Sequence, residues 1–203
     1  MHRTIKEPAE ARITRKGSRF LTFAYPVGDE AIVEAILEEV RKRYHDATHH
    51  CYAYRLLTGE EVLAQASDAG EPAGSAGPPI LRALESQDLI NVFLVVVRYF
   101  GGTKLGIGGL IRAYGDAARA ALAAAEVIEY TPKIQLRLSY PAELTSEVLR
   151  VVNRHRAEIL AHKFADQPEL IIELPAAKLE AFQRELSEAT AGQGRVELST
   201  HKA

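Results

Sequence analysis

The run INVFLVVVRYF, residues 90–100, constrains the fold more than any other part of this 203-residue chain. It is apolar on both faces, which is typical of a central strand that is covered on both sides of a sheet. The glycine-rich turn FGGTKLGIGG follows at once, and then Leu110, Tyr114 and Ala118 recur at helical spacing. The sequence therefore predicts a layered α+β domain built around this strand.

The segments before this strand supply the rest of an N-terminal domain. Their patterns predict two strands joined at Gly17, a helix with Asp29 as its N-cap, a third strand, and a short helix opened by Pro78 and Pro79. In chain order these segments are residues 9–16, 18–27, 28–44, 49–57 and 78–86.

A second domain is predicted after EYTPK, where Pro132 follows a finished helix and precedes a new strand. We therefore place the domains at residues 1–130 and 131–203. The C-terminal domain has the order β-α-β-β-α-β, which predicts a ferredoxin-like fold. Its segments are residues 133–140, 142–155, 158–164, 169–174, 176–190 and 195–200.

The composition excludes several classes of protein. Cys51 is the only cysteine, so the chain has no intrachain disulfide and no zinc site of the CxxC kind. The start of the chain lacks the apolar segment of a signal peptide, and no run approaches the ~18 apolar residues of a membrane helix. We therefore expect a cytoplasmic protein without a membrane partner.

The net charge of −2 is not that of a chain that coats nucleic acid through bulk charge, so a nucleic-acid surface would have to be a local patch. Basic residues cluster in three places, which we interpret as solvated faces; the first is also a candidate contact for RNA or a ribosomal surface. The clusters are Arg12, Arg15, Lys16 and Arg19; residues 41–43; and Arg150, Arg154 and Arg156.

The glycine-rich turn fails both standard nucleotide-binding patterns. Gly101 and Gly106 have the separation of a Walker A loop, but Ile107 and Gly108 follow where Lys and Ser or Thr are needed. The dinucleotide pattern also fails, because Ile111 stands where its last glycine would be.

Unblocked amides at the start of a helix, with cations nearby, still favour an anion site at this turn. The alternative is a packing corner, in which glycines let the helix approach the sheet. The candidate ligand-binding residues are Arg98, Gly101, Gly102, Lys104, Gly106, Gly108, Gly109 and Arg112. We expect the helix to begin within about two residues of Gly106 and its first amides to face solvent or an anion.

A second loop, SDAGEPAGSAGPP, contributes the candidate residues Ser67, Asp68, Glu71 and Ser75. Its acids are candidates for binding a cation or for pairing with the basic residues of the glycine-rich turn, and the alternative is ordinary turn chemistry. The two prolines that end the loop remove two backbone amides, so it is a poorer phosphate site than the glycine-rich turn.

We expect no metal site, no cofactor and no catalytic nucleophile. His45 and His49 are four residues apart, but the helical pattern ends near Tyr44, so they do not face one metal as zincin histidines do. Cys51 has no histidine within reach along its strand, so we interpret it as a small core residue.

Four stretches resemble the Impact/YigZ family: KGSRFLTFAYPV, ATHHCYAYRL, SDAGEPAGSAGPPIL and VVVRYFGGTKLGIGGLIRAYGDA. They come in the family's order and cover most of residues 15–118. The resemblance implies an N-terminal domain like the second domain of ribosomal protein S5. It also implies that the ferredoxin-like C-terminal domain is similar to a domain of elongation factor G.

Eukaryotic relatives in this family are implicated in translational control under amino-acid starvation, through a protein that activates an initiation-factor kinase. They carry an additional N-terminal protein-binding domain, which we expect this chain to lack. We therefore do not carry that partnership over.

Two hypotheses of function follow. The first is a non-enzymatic, translation-associated or regulatory protein that binds RNA, the ribosome or a translation factor through local basic patches and the glycine-rich turn. The alternative is a small-molecule or phosphate-handling enzyme with its site between SDAGEP and GGTKLGIGG. There Asp68 or Glu71 would act as acid, base or metal ligand, and Lys104 and Arg112 would stabilise an anion. The alternative requires the two loops to lie within about 10 Å of each other. The sequence leaves the oligomeric state open.

Overall fold

The computed structural model describes residues 2–59, 61–163 and 168–199, and the chain divides into two units, residues 1–130 and 131–203. The N-terminal unit contains seven strands and three helices in these described ranges. In chain order they are β1 His2–Ile5, β2 Ala9–Arg15, β3 Ser18–Pro26, α1 Glu30–Arg43, β4 His49–Thr58, β5 Glu61–Ser67, α2 Gly77–Glu85, β6 Val92–Tyr99, α3 Ile107–Ala124 and β7 Val127–Tyr130.

The central strand predicted from INVFLVVVRYF is β6, which is third in a five-stranded antiparallel sheet of order β2-β3-β6-β4-β5. Its alternate residues enter two separate cores. Phe93 and Val95 pack in a cluster with Val33 of α1, whereas Leu94 and Val96 pack in a cluster that contains residues of α2 and α3. Helices therefore cover both faces of the sheet, which explains why both faces of this strand are apolar.

Three strands of this unit were not predicted. β1 and β7 form a separate two-stranded sheet in which Ile5 pairs with Val127. Each of these strands has only four residues, and its partner is far away in the sequence. β5 is an edge strand whose residues are exposed or only partly buried. None of the three carries the continuous apolar run or the strict alternation that indicates a strand.

At the corner after β6, the backbones of Gly17 and Gly101 pack against each other. The β2–β3 hairpin turns at Lys16 and Gly17, and the backbone of this turn packs directly on Gly101, where an added Cβ would lie 1.9 Å from the carbonyl carbon of Gly17. The Gly101 N–H also donates to the Ser18 hydroxyl at 3.2 Å. Gly101 is thus a packing residue, as the corner interpretation of this turn requires.

The C-terminal unit has the predicted order of elements in its described residues. They are β8 Lys133–Ser139, α4 Thr145–Arg154, β9 Glu158–Lys163, β10 Glu169–Pro175, α5 Leu179–Ala189 and β11 Arg195–Leu198. The strands form an antiparallel sheet of order β11-β8-β10-β9, and Val148 of α4 and Phe182 of α5 pack into one core with Leu136 and Ile172. Phe164 and Thr200, at the ends of two predicted strands, lie outside the described residues. The predicted α+β class with two units is confirmed.

Helix α3 is 18 residues long and has a face of buried residues that includes Ala117 and Ala121. Within the described ranges, no helix has the length and apolar character that a membrane span requires.

Replacing Gly101 by Ala is expected to destabilise the N-terminal unit by about 3 kcal/mol, because the new methyl group overlaps backbone atoms that cannot rotate away. Gly28→Ala is the matched control, since no atom of the described residues lies within 4 Å of a Cβ at that position. Urea denaturation followed by circular dichroism measures both changes. Equal midpoints for the two variants would show that the contact between the two glycine backbones is not required.

Candidate functional site

The two loops singled out in the sequence meet in the N-terminal unit. The β5–α2 loop and the β6–α3 loop line one cavity of about 290 Å³, so the distance condition of the enzyme hypothesis is met. We call it the Glu71 cavity. Its polar wall consists of Thr48, His49, Glu71, Arg98 and Lys104.

The innermost part of the Glu71 cavity is a buried ion pair. Arg98 Nη1 donates to Glu71 Oε1 at 2.5 Å, and the Tyr114 hydroxyl donates to the same oxygen at 2.7 Å. Arg98 Nη2 donates to the Ser18 hydroxyl at 3.3 Å. Arg98 is only 5% exposed, and its Nε has no hydrogen-bond partner in the part of the chain that the structure describes. Glu71 thus pairs with a basic residue that borders the glycine-rich turn.

His49 is held in one orientation at the edge of this pair. Its Nδ1 lies 2.9 Å from the Ala69 carbonyl oxygen, and because a carbonyl only accepts, Nδ1 carries the hydrogen. Its Nε2 lies 3.9 Å from Glu71 Oε2. In the neutral imidazole, Nε2 is therefore an acceptor beside the cavity.

Asp68 organises its own loop and does not line the cavity. Its carboxylate accepts the backbone N–H groups of Gly74, Ala76 and Gly77 at 2.8 to 2.9 Å. Burial alone would raise the pKa of Asp68, but these three hydrogen bonds together outweigh burial and hold the pKa below its ordinary value. Since the last two amides begin α2, the start of that helix is closed to an anion.

The two serines of the same loop also have internal roles. The Ser67 hydroxyl accepts from the Ala69 N–H at 3.3 Å, and the buried Ser75 hydroxyl donates to the Pro72 carbonyl oxygen at 2.6 Å. Of the four residues predicted in this loop, Glu71 is the one that reaches the cavity.

The start of α3 matches its prediction. The helix begins at Ile107, directly after Gly106, whose φ of 72° is in the left-handed region that favours glycine. Among the residues that the structure describes, no side chain caps this end, and the first turn of the helix carries no acidic residue. Gly106 and Ile107 line the cavity together with Lys104.

The other residues predicted at the glycine-rich turn lie elsewhere. Gly102 and Gly108 are exposed. Gly109 contacts Leu105 and lines a different groove with Arg112. The prediction grouped Arg112 with Lys104 at one site, but in the structure the two residues line different cavities.

Cys51 lies behind the cavity and is fully buried. Its Sγ is 3.0 Å from the Asp68 carbonyl oxygen and 3.3 Å from the Tyr114 hydroxyl, and burial raises the pKa of the thiol to about 12. These surroundings fit the core role that the sequence indicated and not that of a nucleophile.

The histidine cluster HDATHH forms no zincin arrangement. Helix α1 ends at Arg43 and β4 begins at His49, so His45 and His49 do not share a helix. In the described ranges, no three His, Cys, Asp or Glu side chains are grouped so that they could hold a metal ion.

Sequence reasoning missed His49 as a residue of the cavity. The signal lies in the sheet register, which pairs His49 of β4 with Arg98 of β6 and so places both side chains on one face. The sequence also missed the apolar wall, which is formed by Pro72, Phe100, Leu105, Ile107 and Leu110.

The fold and this cavity define a two-unit α+β protein with a candidate ligand site between two loops of its N-terminal unit. The Impact N-terminal domain matches residues 16–122, and DUF1949, a domain of unknown function, matches residues 143–193. The IMPACT family member YigZ of Escherichia coli (strain K12) is 35% identical over 181 residues, which cover 87% of each chain. The chain therefore belongs to the IMPACT family, which confirms the resemblance seen in its sequence.

Two further comparisons extend this result. Protein IMPACT-B of Xenopus tropicalis is 37% identical over 98 residues, which are 46% of this chain and 30% of that protein. A crystal structure described as that of a hypothetical protein is 29% identical, with a TM-score of 0.73 over 99% of this chain and 98% of the other. Both units of the fold therefore have a counterpart in one solved structure.

Replacing Asp68 by Asn is expected to lower the free energy of unfolding by about 2 kcal/mol at neutral pH, because an amide cannot accept all three N–H groups. The folded-state pKa lies below the unfolded value, so the carboxylate stabilises the protein above the unfolded pKa and loses this effect as the pH falls through the folded pKa. The difference between wild type and variant should therefore narrow below about pH 4. Denaturation at several pH values measures this difference in the free energy of unfolding. Asp88→Asn, at an exposed position, is the control. A difference that does not change with pH would contradict the ionic role of Asp68.

Cys51 is expected to react with a thiol reagent such as dithiobisnitrobenzoate at least about a thousandfold more slowly in the folded protein than in denaturant at about pH 8. The reason is its raised pKa, about 12, together with complete burial. Because the folded pKa exceeds the unfolded one, its contribution to stability is complete below the unfolded pKa of about 9 and is lost as the pH rises toward 12. Absorbance of the released thiolate follows the reaction. Labelling of the native protein at the rate of a free thiol would refute this placement.

Proposed function

We propose that this protein acts in translational regulation as a non-enzymatic binding protein whose N-terminal unit contacts RNA phosphates. Membership of the IMPACT family supports a regulatory role, since the sequence resemblance implies translational control for its eukaryotic members. The chain spans 30% of the length of the Xenopus tropicalis relative, so the partners of that larger protein are not part of the proposal.

The architecture supports the same assignment. The β-α-β-β-α-β order and the strand order β11-β8-β10-β9 support a ferredoxin-like C-terminal unit similar to a domain of elongation factor G. For the N-terminal unit, the likeness to the second domain of ribosomal protein S5 rests on the family resemblance. These likenesses are analogies of fold, and a fold alone does not imply RNA binding, which requires a suitable surface.

The observation that carries the proposal is a basic surface along α3. Two grooves lie beside this helix, one of about 730 Å³ next to α2 and one of about 330 Å³ next to the β2–β3 turn. We call their basic residues the α3 basic surface. These residues are Arg15, Lys16, Arg82, Arg112 and Arg119, all exposed.

The charge of the α3 basic surface is strongly positive for a chain whose net charge is −2. Its five cations face two carboxylates in the grooves, Glu85 and Asp116. Asp116 is engaged by Arg15 at 3.1 Å and by Arg119 at 2.7 Å. The local excess of positive charge favours a polyanion, and it is the local patch that RNA binding by this chain requires.

The groove chemistry favours contact with the RNA backbone over reading of bases. Of the described residues, none with an aromatic side chain lines either groove, so these residues offer no platform for base stacking there. Arginine guanidinium groups bind phosphate with two parallel hydrogen bonds. We therefore expect binding that is sensitive to salt and tolerant of sequence.

The enzyme hypothesis retains one supporting observation, which is that both predicted loops line the Glu71 cavity. Its two proposed acids, however, already have hydrogen-bond partners. Asp68 is committed to backbone amides, and Glu71 is committed to Arg98 and Tyr114. The cavity is accordingly better suited to binding than to acid–base chemistry by these two carboxylates.

The triple variant Lys16→Gln, Arg82→Gln, Arg112→Gln tests the RNA proposal. None of the three side chains forms an ion pair within the described residues, so their loss should leave folding intact. Filter binding to a short RNA duplex over a series of salt concentrations should show weaker affinity and a salt slope smaller by about 2 to 3.

The control carries the same change of charge on α1, with Arg41, Lys42 and Arg43 replaced by Gln. Affinity and salt slope of this control should stay close to those of wild type. Equal losses of RNA affinity in both triple variants would show that overall charge governs binding. The proposal would also be contradicted if the wild type bound an acidic polypeptide as tightly as RNA. Ribosome or factor binding without free RNA binding would also contradict it.

A further inference from the structure

The charged residues of the polar wall of the Glu71 cavity differ in their partners. The Glu71 carboxylate is neutralised by Arg98 and hydrogen-bonded by Tyr114. Lys104 is exposed and has no ion-pair partner within the described residues. The charged groups lining the cavity thus leave a positive charge without a counterpart.

The start of α3 adds to this positive character. Helix α3 is 18 residues long and begins at Ile107 on the cavity wall. It has no acidic residue in its first turn and no capping side chain from the described part of the chain. Its first N–H groups and the positive end of its dipole are therefore available to an anion. The start of α2 differs, because Asp68 already occupies its amides there.

A second and independent observation comes from Arg98. This residue lines the cavity, is 5% exposed, and has an Nε without a hydrogen-bond partner among the described residues. Buried polar atoms are rarely left unsatisfied in proteins, and a group left so calls for an explanation. Arg98 thus keeps one N–H donor that no described group accepts, in a side chain that borders the cavity.

The rest of the cavity is apolar. Phe100 and Ile107 are 49% and 59% exposed, which is unusual for side chains of their size, and both line the cavity with Leu105 and Leu110. Small-ligand sites are mostly apolar with a few placed polar groups, and a volume of about 290 Å³ is at the lower end of their range. The occupant is therefore a small molecule with an apolar part.

We propose that the Glu71 cavity binds a small organic anion, namely a phosphate or carboxylate group carried on a short apolar or aromatic body. The anionic group lies at the first amides of α3 and at Lys104, and the body lies against Phe100 and Leu110. The site is separate from the α3 basic surface, because Arg112 and its companions do not line the cavity.

The experiment titrates the full-length chain with phenyl phosphate and with benzoate, and it follows backbone amide resonances by nuclear magnetic resonance. Benzyl alcohol serves as the neutral probe and inorganic phosphate as the probe without a body. We expect saturable shifts of the amides of Gly106 to Gly109 with at least one aromatic anion. The tighter of the two identifies the preferred anionic group. Benzyl alcohol and inorganic phosphate should each bind at least about tenfold more weakly.

Two variants separate anion binding from stability. Lys104→Gln should weaken binding about fivefold to tenfold. Ile107→Asp places a carboxylate in the first turn of α3, so it should raise the melting temperature slightly and weaken binding by at least about tenfold. Opposite signs for stability and affinity cannot come from a variant that merely fails to fold. Lys42→Gln on α1 is the matched control and should bind as the wild type does.

Several outcomes would overturn the proposal. They are the absence of saturable shifts with both aromatic anions, equal binding of benzyl alcohol, shifts confined to the α3 basic surface, and an equal effect of Lys42→Gln and Lys104→Gln. Apart from shifts confined to the α3 basic surface, these outcomes do not bear on RNA binding, because the variants used for RNA are Lys16, Arg82 and Arg112 substitutions outside the cavity.

Discussion

The buried pair of Arg98 and Glu71 fixes the arrangement on which the rest of the N-terminal unit depends. It joins the central strand β6 to the β5–α2 loop, and Tyr114 and Ser18 attach α3 and β3 to the same pair. Removing two charges from water is costly, and the attraction between them offsets this cost only when their hydrogen bonds are largely satisfied. The loop therefore has little freedom to move without exposing a buried charge.

This constraint also explains how an arginine belongs in an otherwise apolar strand. Strand alternation places Arg98 on the same face as Leu94 and Val96, toward α2 and α3, where Glu71 provides its partner. The pair forms the innermost part of a cavity whose outer wall is the start of α3. The buried ion pair and the start of α3 thus line the same cavity, next to the glycine-rich turn.

Much of the fold was predictable because its signals are local. The doubly apolar β6, the Gly17 hairpin, the start of α3 and the order of elements in the C-terminal unit all follow from periodicity and turn residues. The strands β1, β5 and β7 could not be predicted, since they are short or exposed and two of them pair across more than 120 residues.

The site was predictable only in part. A site shared by the two loops was the alternative hypothesis from the sequence, and Glu71, Arg98 and Lys104 do line one cavity. Arg112 does not, and helix geometry explains the error: two residues beyond Leu110 correspond to about 200° around the helix, which turns Arg112 toward the outer grooves. His49 required knowledge of the β4–β6 register. The cavity and the groove that contains Arg15 and Lys16 adjoin, since Leu105 lines both. The contact of Gly101 with Gly17 also joins the cavity loop to the hairpin that carries Arg15 and Lys16. If an anion in the cavity changes RNA affinity through this contact, linkage requires RNA to change the affinity for the anion by the same factor.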